Sequence, residues 1–356
     1  MKILFLVGNI SNTGGTERVG SMLANGLSEV GYKIVLASIL QGEKPFFPLN
    51  EGIKVVSLFN TTGRILYRTP SIINRLRKLI KQEAIDTLIV VETMSVLFTL
   101  PAVVGLPVKH ICWEHFNFNN DLGKSGRRIA RQLAARYCDS IVTLTERDKS
   151  YWLQGTQHKS QITAIANPCP FPVQEYLKEE NTKIVLAVGR LVHIKGFDML
   201  LEAWVQVHKV MPDWKLKIVG EGEDRVQLTD FIKKNQLADS VELVGNTSNV
   251  SQYYKQAEVF CLSSRFEGFP MVLLETLAFG LSVVSFDCDT GPAEVLEDTG
   301  SVLVPQGDID QLATSLVEMM KNNEQRKIIS VKSKKKAEIY QPQNIINQWI
   351  GLIESL

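Results

Sequence analysis

Ser263-Ser-Arg-Phe-Glu-Gly-Phe-Pro-Met-Val-Leu-Leu-Glu-Thr-Leu-Ala-Phe-Gly280 is the stretch on which the reading of this chain turns. An apolar run, Val259-Phe-Cys-Leu262, precedes it and reads as a buried strand. Pro270 and Gly280 then bracket a helix, with proline pre-set at its first turn and glycine just past its last. Glu275 is the one charge between them, and a carboxylate on an apolar helix is costly to bury without a hydrogen-bonding partner. Glu267 stands in the loop immediately before. Two acids thus flank a helix start whose free backbone N–H groups suit an anionic or hydroxyl-rich ligand. The plainer alternative is a surface helix with one solvated glutamate.

Outward from that stretch, apolar runs alternate with helical patterns along the whole chain. Ile3–Val7, Lys33–Ile39, Ile53–Leu58, Thr87–Val91 and Val108–Trp113 read as strands of a first α/β domain. Between them, Ile72, Ile73, Leu76, Leu79 and Ile80 form an apolar stripe backed by Arg75, Arg77, Lys78 and Lys81, and a very basic helix covers Lys124–Tyr137. Asn167-Pro-Cys-Pro-Phe-Pro172 suits neither a helix nor a central strand, so residues 168–182 read as an interdomain linker. The alternation restarts at Lys183–Gly189 and continues through Lys215–Val219, Val241–Val244, Val259–Leu262 and Ser282–Phe286. Two doubly wound α/β domains are therefore expected, residues 1–167 and 183–340. Ile345, Ile346, Trp349, Ile350 and Ile353 recur at helical spacing in the tail 341–356, whose apolar face needs a dock, and the first domain is a candidate.

With 356 residues the chain exceeds a single core, in keeping with two domains. The net charge of +1 hides an asymmetry: residues 1–170 hold 20 Lys+Arg against 12 Asp+Glu, while the remainder is acidic. The first half therefore suits an anionic surface or ligand. Five scattered cysteines, Cys112, Cys138, Cys169, Cys261 and Cys288, show no zinc spacing and fit a reducing cytosol. No run approaches the roughly 20 apolar residues of a membrane span.

Ligands of open α/β sheets bind at loops leaving the carboxyl ends of the strands. In Gly8-Asn-Ile-Ser-Asn-Thr-Gly-Gly-Thr-Glu-Arg18, Gly14 and Gly15 let backbone approach a phosphate or sugar closely, without the pattern of a P-loop or a dinucleotide fingerprint. Trp113-Glu-His-Phe-Asn-Phe-Asn-Asn120 delivers His115 to a strand's carboxyl end. Val188-Gly-Arg-Leu-Val-His-Ile-Lys-Gly196 delivers Arg190 and Lys195, a planar fork and a point charge that together suit a diphosphate. Asp287-Cys-Asp289 could hold Mg²⁺ or Mn²⁺, but the two cations already supply charge compensation, so no metal is expected.

Gly189-Arg190 with Lys195-Gly196, Glu267 and Glu275 eight residues apart, and Thr290-Gly-Pro-Ala-Glu294 together resemble the retaining GT4 glycosyltransferases of the GT-B fold. The similarity runs from Gly14-Gly15 to the tail helix, and the last element is similar to the branch that builds bacterial surface polysaccharides and lipid-linked oligosaccharides. The resemblance implies two Rossmann-like domains facing across a cleft, with the C-terminal helix crossing back to the first. It implies an acceptor site in the first domain and a donor site in the second. Arg190 and Lys195 would neutralise the donor diphosphate, and Gly14 and Gly15 would close over it. Glu275 would hold the ribose, while Val244, Gly245 and Asn246 would meet the base. Glu267 would grip the sugar with the backbone of Gly268, Phe269, Pro270, Met271 and Val272. His115 would stand near the sugar as a second catalytic group. The donor so implied is a UDP-sugar and the acceptor a glycan or lipid-linked sugar, with no cofactor, metal or nucleic acid. The expected place is the cytoplasm, and the basic helices of the first domain suit peripheral contact with an anionic membrane at its inner face. A UDP-sugar 2-epimerase on the same scaffold, or a non-catalytic sugar-nucleotide-binding subunit, are the rival expectations.

Overall fold

The computed structural model describes residues 1–61, 65–121, 123, 125–175 and 182–356. Lys124 and part of the expected linker, 176–181, lie outside the described residues. The chain divides into two compact units, the first comprising Met1–Pro168 with Pro342–Leu356 and the second Cys169–Gln341.

Unit 1 begins with β1 (Lys2–Val7), α1 (Gly15–Glu29), β2 (Lys33–Ser38), β3 (Lys54–Ser57), α2 (Ile65–Gln82) and β4 (Thr87–Val91). It continues through α3 (Val96–Val103), β5 (Lys109–Trp113), α4 (Ser125–Tyr137), β6 (Ser140–Thr143), α5 (Glu146–Gly155) and β7 (Gln161–Ala164). Its seven strands are parallel in the order β3-β2-β1-β4-β5-β6-β7. Strands buried on both faces need apolar residues at every position, which is why Ile3–Val7 and Leu88–Val91 read as continuous runs. Alternate residues Leu4, Leu6, Val35, Ala37, Leu88 and Val90 pack with Ile72, Leu76, Leu79 and Ile80 of α2. The strand order reverses between β1 and β4, which opens a crevice at their carboxyl ends.

Unit 2 carries β8 (Ile184–Val188), α6 (Phe197–Val210), β9 (Lys215–Val219), α7 (Arg225–Lys234), β10 (Val241–Gly245), α8 (Ser251–Gln256), β11 (Val259–Leu262) and α9 (Met271–Ala278). Next come β12 (Ser282–Asp287), α10 (Pro292–Leu296), β13 (Val302–Pro305), α11 (Ile309–Lys321) and α12 (Asn323–Ile339). Its six strands are also parallel, in the order β10-β9-β8-β11-β12-β13, and the reversal falls between β8 and β11. The Pro-rich run is ordered on this unit: Cys169 N–H donates to Tyr340 O, and Phe171 packs on Phe279 and Tyr254.

The tail forms α13 (Pro342–Ser355), which buries Ile345, Ile346, Trp349, Leu352 and Ile353 against unit 1. Gly26 of α1 has room only for hydrogen there, because a Cβ would lie 2.0 Å from Ile346 Cδ1. Trp349 is fully buried, edge-on to Trp113 at 4.9 Å.

Candidate functional site

The crevice of the second sheet lies between the loops after β8 and β11, and these are the loops that carry Arg190, Lys195 and Glu267. Lys195 closes a single 3₁₀ turn, His193–Lys195, after which Gly196 takes φ 65° to enter α6. That glycine is required twice over. A Cβ would be strained by the positive φ and would sit 2.0 Å from Ser263 O. Lys195 Nζ reaches Glu267 Oε1 at 2.7 Å, and Ser264 Oγ donates to the same oxygen at 2.6 Å. Glu267 is buried, so these charge-assisted bonds compensate its desolvation. Arg190 stays exposed and makes no ion pair among the described residues.

Arg265, within the quoted stretch, fixes this geometry and was not singled out from the sequence. Its guanidinium forks onto Asp198 at 2.7 and 2.6 Å and donates to His193 O at 2.7 Å, while its N–H donates to Ile194 O. Thr290 Oγ1 donates to the carbonyls of Glu267 and Gly268, which ties the Thr-Gly-Pro-Ala-Glu element to the same loop. Pro270 proves to be the residue that caps α9, with helical geometry beginning at Met271 rather than at the proline. Phe269 is buried beside Tyr340, and Met271 and Val272 are half-buried at the helix start.

Glu275 is buried one turn further along α9 and accepts from Tyr254 Oη at 2.7 Å. Tyr254 stacks on Phe279, so the carboxylate is set against an aromatic wall. Val244 and Gly245 end β10 and Asn246 follows it; an antiparallel bridge joins Gly245 to Gly220, and Arg225 donates to Leu243 O. Asp287 ends β12 and Asp289 lies two residues beyond it, both half-buried.

In unit 1, Gly14 caps α1 and Gly15 is its first residue. His115 follows β5, half-buried, with its ring 4.5 Å from that of Trp113. Its Nε2 is buried and has no hydrogen-bond partner among the described residues. Burial pulls its pKa down to about 3, so the imidazole is neutral at physiological pH. The loop around it is held from below. Glu114 Oε1 accepts the N–H groups of His115 and Phe116, and its Oε2 accepts from Thr93 Oγ1 and Arg131 Nε. Arg131 also donates to the carbonyls of Asn117, Phe118 and Asn120.

This corrects the reading of the basic helix. Two of its arginines, Arg127 and Arg131, are only 2% exposed and turn inward to Glu92 and Glu114, leaving Arg128 and Arg136 on the outer face. A run of arginines looks solvated in sequence. Their carboxylate partners lie 17 and 35 residues away, on other strand ends.

Two parallel-sheet Rossmann-like units, each with polar residues at its strand-order reversal, define a two-domain, doubly wound α/β protein. The chain matches the family described as Glycosyltransferase Family 4 over residues 13–170 and that described as Glycosyl transferases group 1 over residues 172–336. It is 31% identical over 367 residues to the amylovoran biosynthesis glycosyltransferase AmsD of Erwinia amylovora, covering 99% of both chains. It is 29% identical over 363 residues to a Campylobacter jejuni enzyme, covering 99% of this chain and 98% of that protein. That relative is named as an α-1,4-N-acetyl-D-galactosaminyltransferase acting on a GalNAc-containing diNAcBac-PP-undecaprenol. The fold superposes on Anabaena HepE, solved in complex with UDP, with a TM-score of 0.85, 19% identity and full coverage of both chains. The chain belongs to the GT4-like glycosyltransferases of the GT-B fold.

Proposed function

We propose that this glycosyltransferase moves a hexose or N-acetylhexosamine from a UDP-sugar to a glycan or lipid-linked acceptor in polysaccharide biosynthesis, with retention of configuration and without a metal. The observation that carries the donor side is the convergence of Lys195 and Glu267 at 2.7 Å, with Arg190 exposed, at the strand-order reversal of unit 2. Breaking the anomeric bond develops negative charge on the diphosphate and positive charge on the sugar. Arg190 and Lys195 serve the first, and Glu267 serves the second. Glu275 takes the ribose, Val244–Asn246 the base, and the backbone of Gly268–Val272 the sugar. His115, neutral, offers a hydrogen bond rather than a charge. Retention rests on the family resemblance. UDP is favoured by the UDP complex of HepE, and a lipid-linked acceptor by the undecaprenol-bound substrate of the Campylobacter relative.

A thermal-shift panel of nucleotide sugars tests the donor side. A UDP-sugar raises the melting temperature of the wild type, and Lys195→Ala and Glu275→Ala abolish that shift. Full shifts in both variants overturn the site. UDP release that depends on added acceptor separates transfer from epimerisation and from mere binding.

Peripheral attachment at the inner face of the membrane is part of the same proposal. No helix among the described residues is long and apolar enough to cross a membrane. The exposed cations Lys78 and Lys81 of α2 and Arg128 and Arg136 of α4 suit anionic head groups. Sedimentation with anionic vesicles at about 50 mM salt, lost at about 500 mM, is the expected result. Equal recovery in the supernatant at both salts removes it.

A further inference from the structure

Helix α12 turns toward solvent a face that is not simply polar. Ile329, Ser333 and Ala337 seat its inner side on unit 2, where Ile329 joins the core and Ser333 Oγ donates to Leu281 O. At 3.6 residues per turn the opposite side holds Ile328, Val331, Lys332, Lys335 and Ile339, all exposed. The three aliphatic side chains are 59%, 71% and 50% exposed and recur along about three turns. A single exposed aliphatic residue is ordinary, but three aligned on one stripe mark a contact surface.

The charge pattern identifies the partner. Residues 171–356 hold 19 Lys+Arg against 26 Asp+Glu, yet α12 alone holds six against two. Three of those cations have acidic partners: Arg326 on Glu258 at 2.6 Å, Lys327 on Glu324 at 3.2 Å and Lys336 on Glu297 at 3.5 Å. Lys332 and Lys335 make no ion pair among the described residues and stand among the aliphatic side chains, while the two acids, Glu324 and Glu338, belong to the first and last turns. Lysines on flexible stems answer mobile anionic head groups in any arrangement, whereas fixed carboxylates or phosphates of a protein partner are matched better by arginine forks. Those stems also lie along apolar surface while the ammonium reaches for its anion. We propose that α12 is a membrane-contact helix of unit 2. Lys332 and Lys335 meet anionic lipid head groups, and Ile328, Val331 and Ile339 enter the acyl boundary beneath them. This surface is separate from the cations of α2 and α4 and rests on its own observations.

Sedimentation of the full chain with phosphatidylcholine vesicles, with and without phosphatidylglycerol, tests this at about 100 mM salt. The wild type binds the anionic vesicles and not the neutral ones. Lys332→Glu with Lys335→Glu weakens that binding by about tenfold or more, and Ile328→Ser with Val331→Ser by about fivefold. All four side chains point outward, so both variants keep the wild-type melting temperature. Wild-type affinity in either variant, equal binding to both kinds of vesicle, or no binding of the wild type to anionic lipid each overturns the proposal. Lys78→Glu with Lys81→Glu reads the unit 1 surface on the same vesicles. Loss there, with both α12 variants unaffected, keeps the attachment through unit 1 and overturns this one.

Discussion

Asp148 and His115 sit beside the same loop and titrate in opposite senses. Asp148 accepts the Phe118 N–H at 2.7 Å, and burial, the largest influence, pushes its pKa up from 3.8 to about 7 despite that bond, with Glu114 adding to the rise. The folded chain therefore holds a proton that the unfolded chain releases near pH 4. Stability from this group is fully present below about pH 4 and is lost as pH rises through about 7. His110 and His115, lowered by burial to about 4 and about 3, act the other way over the acid range. Because a single substitution leaves both histidines in place, Asp148→Asn isolates the carboxyl. Its melting temperature minus that of the wild type should grow from about pH 5 to about pH 8, and a flat difference would refute the raised pKa. Lys195 and Glu267 were legible in the sequence because loops that follow apolar strands can be found one by one. The pairing of Glu92 with Arg127 was not, although Thr87–Val91 marked the strand before Glu92, because that pairing depends on which strands are neighbours.

The turn from β8 into α6 ties the backbone to the candidate site. Gly196 seats its α-carbon against Ser263 O, and Arg265 clamps His193, Ile194 and Asp198 around the same turn. Neither neighbour can yield cheaply, because the obstructing atom is backbone. Gly196→Ala should destabilise unit 2 by about 2 kcal/mol or more and erase the nucleotide-sugar shift, as read by thermal melting with and without UDP-sugar. A wild-type melting point would show that the turn relaxes freely. Strands at Thr87–Val91, Lys215–Val219 and Val259–Leu262 coincide with their sequence readings, since burial on both faces leaves an uninterrupted apolar signature. The strands Ser140–Thr143 and Gln161–Ala164 escaped because polar residues hold two of the four positions in each, and Val302–Pro305 also went unread. The inward arginines of α4 escaped for a different reason. Helical spacing reveals which residues share a face but not that a charged face is matched by carboxylates from other strands.

Across the whole molecule, each unit has its own sheet and its own buried apolar clusters, and each presents polar side chains where its strand order reverses. That division of labour follows from the doubly wound topology, in which one reversal per sheet yields one crevice. The chain path adds a temporal constraint. Trp349, fully buried against Trp113 two residues from His115, is separated from the rest of unit 1 by all of unit 2. Synthesis runs from the N-terminus, so the unit that emerges first from the ribosome is finished last. Until then Trp113 and the α1 surface around Gly26 lack their cover, and the His115 loop lacks part of its support. Translation interrupted anywhere in residues 169–341 thus leaves a first domain with an open apolar flank, marked for chaperone or protease.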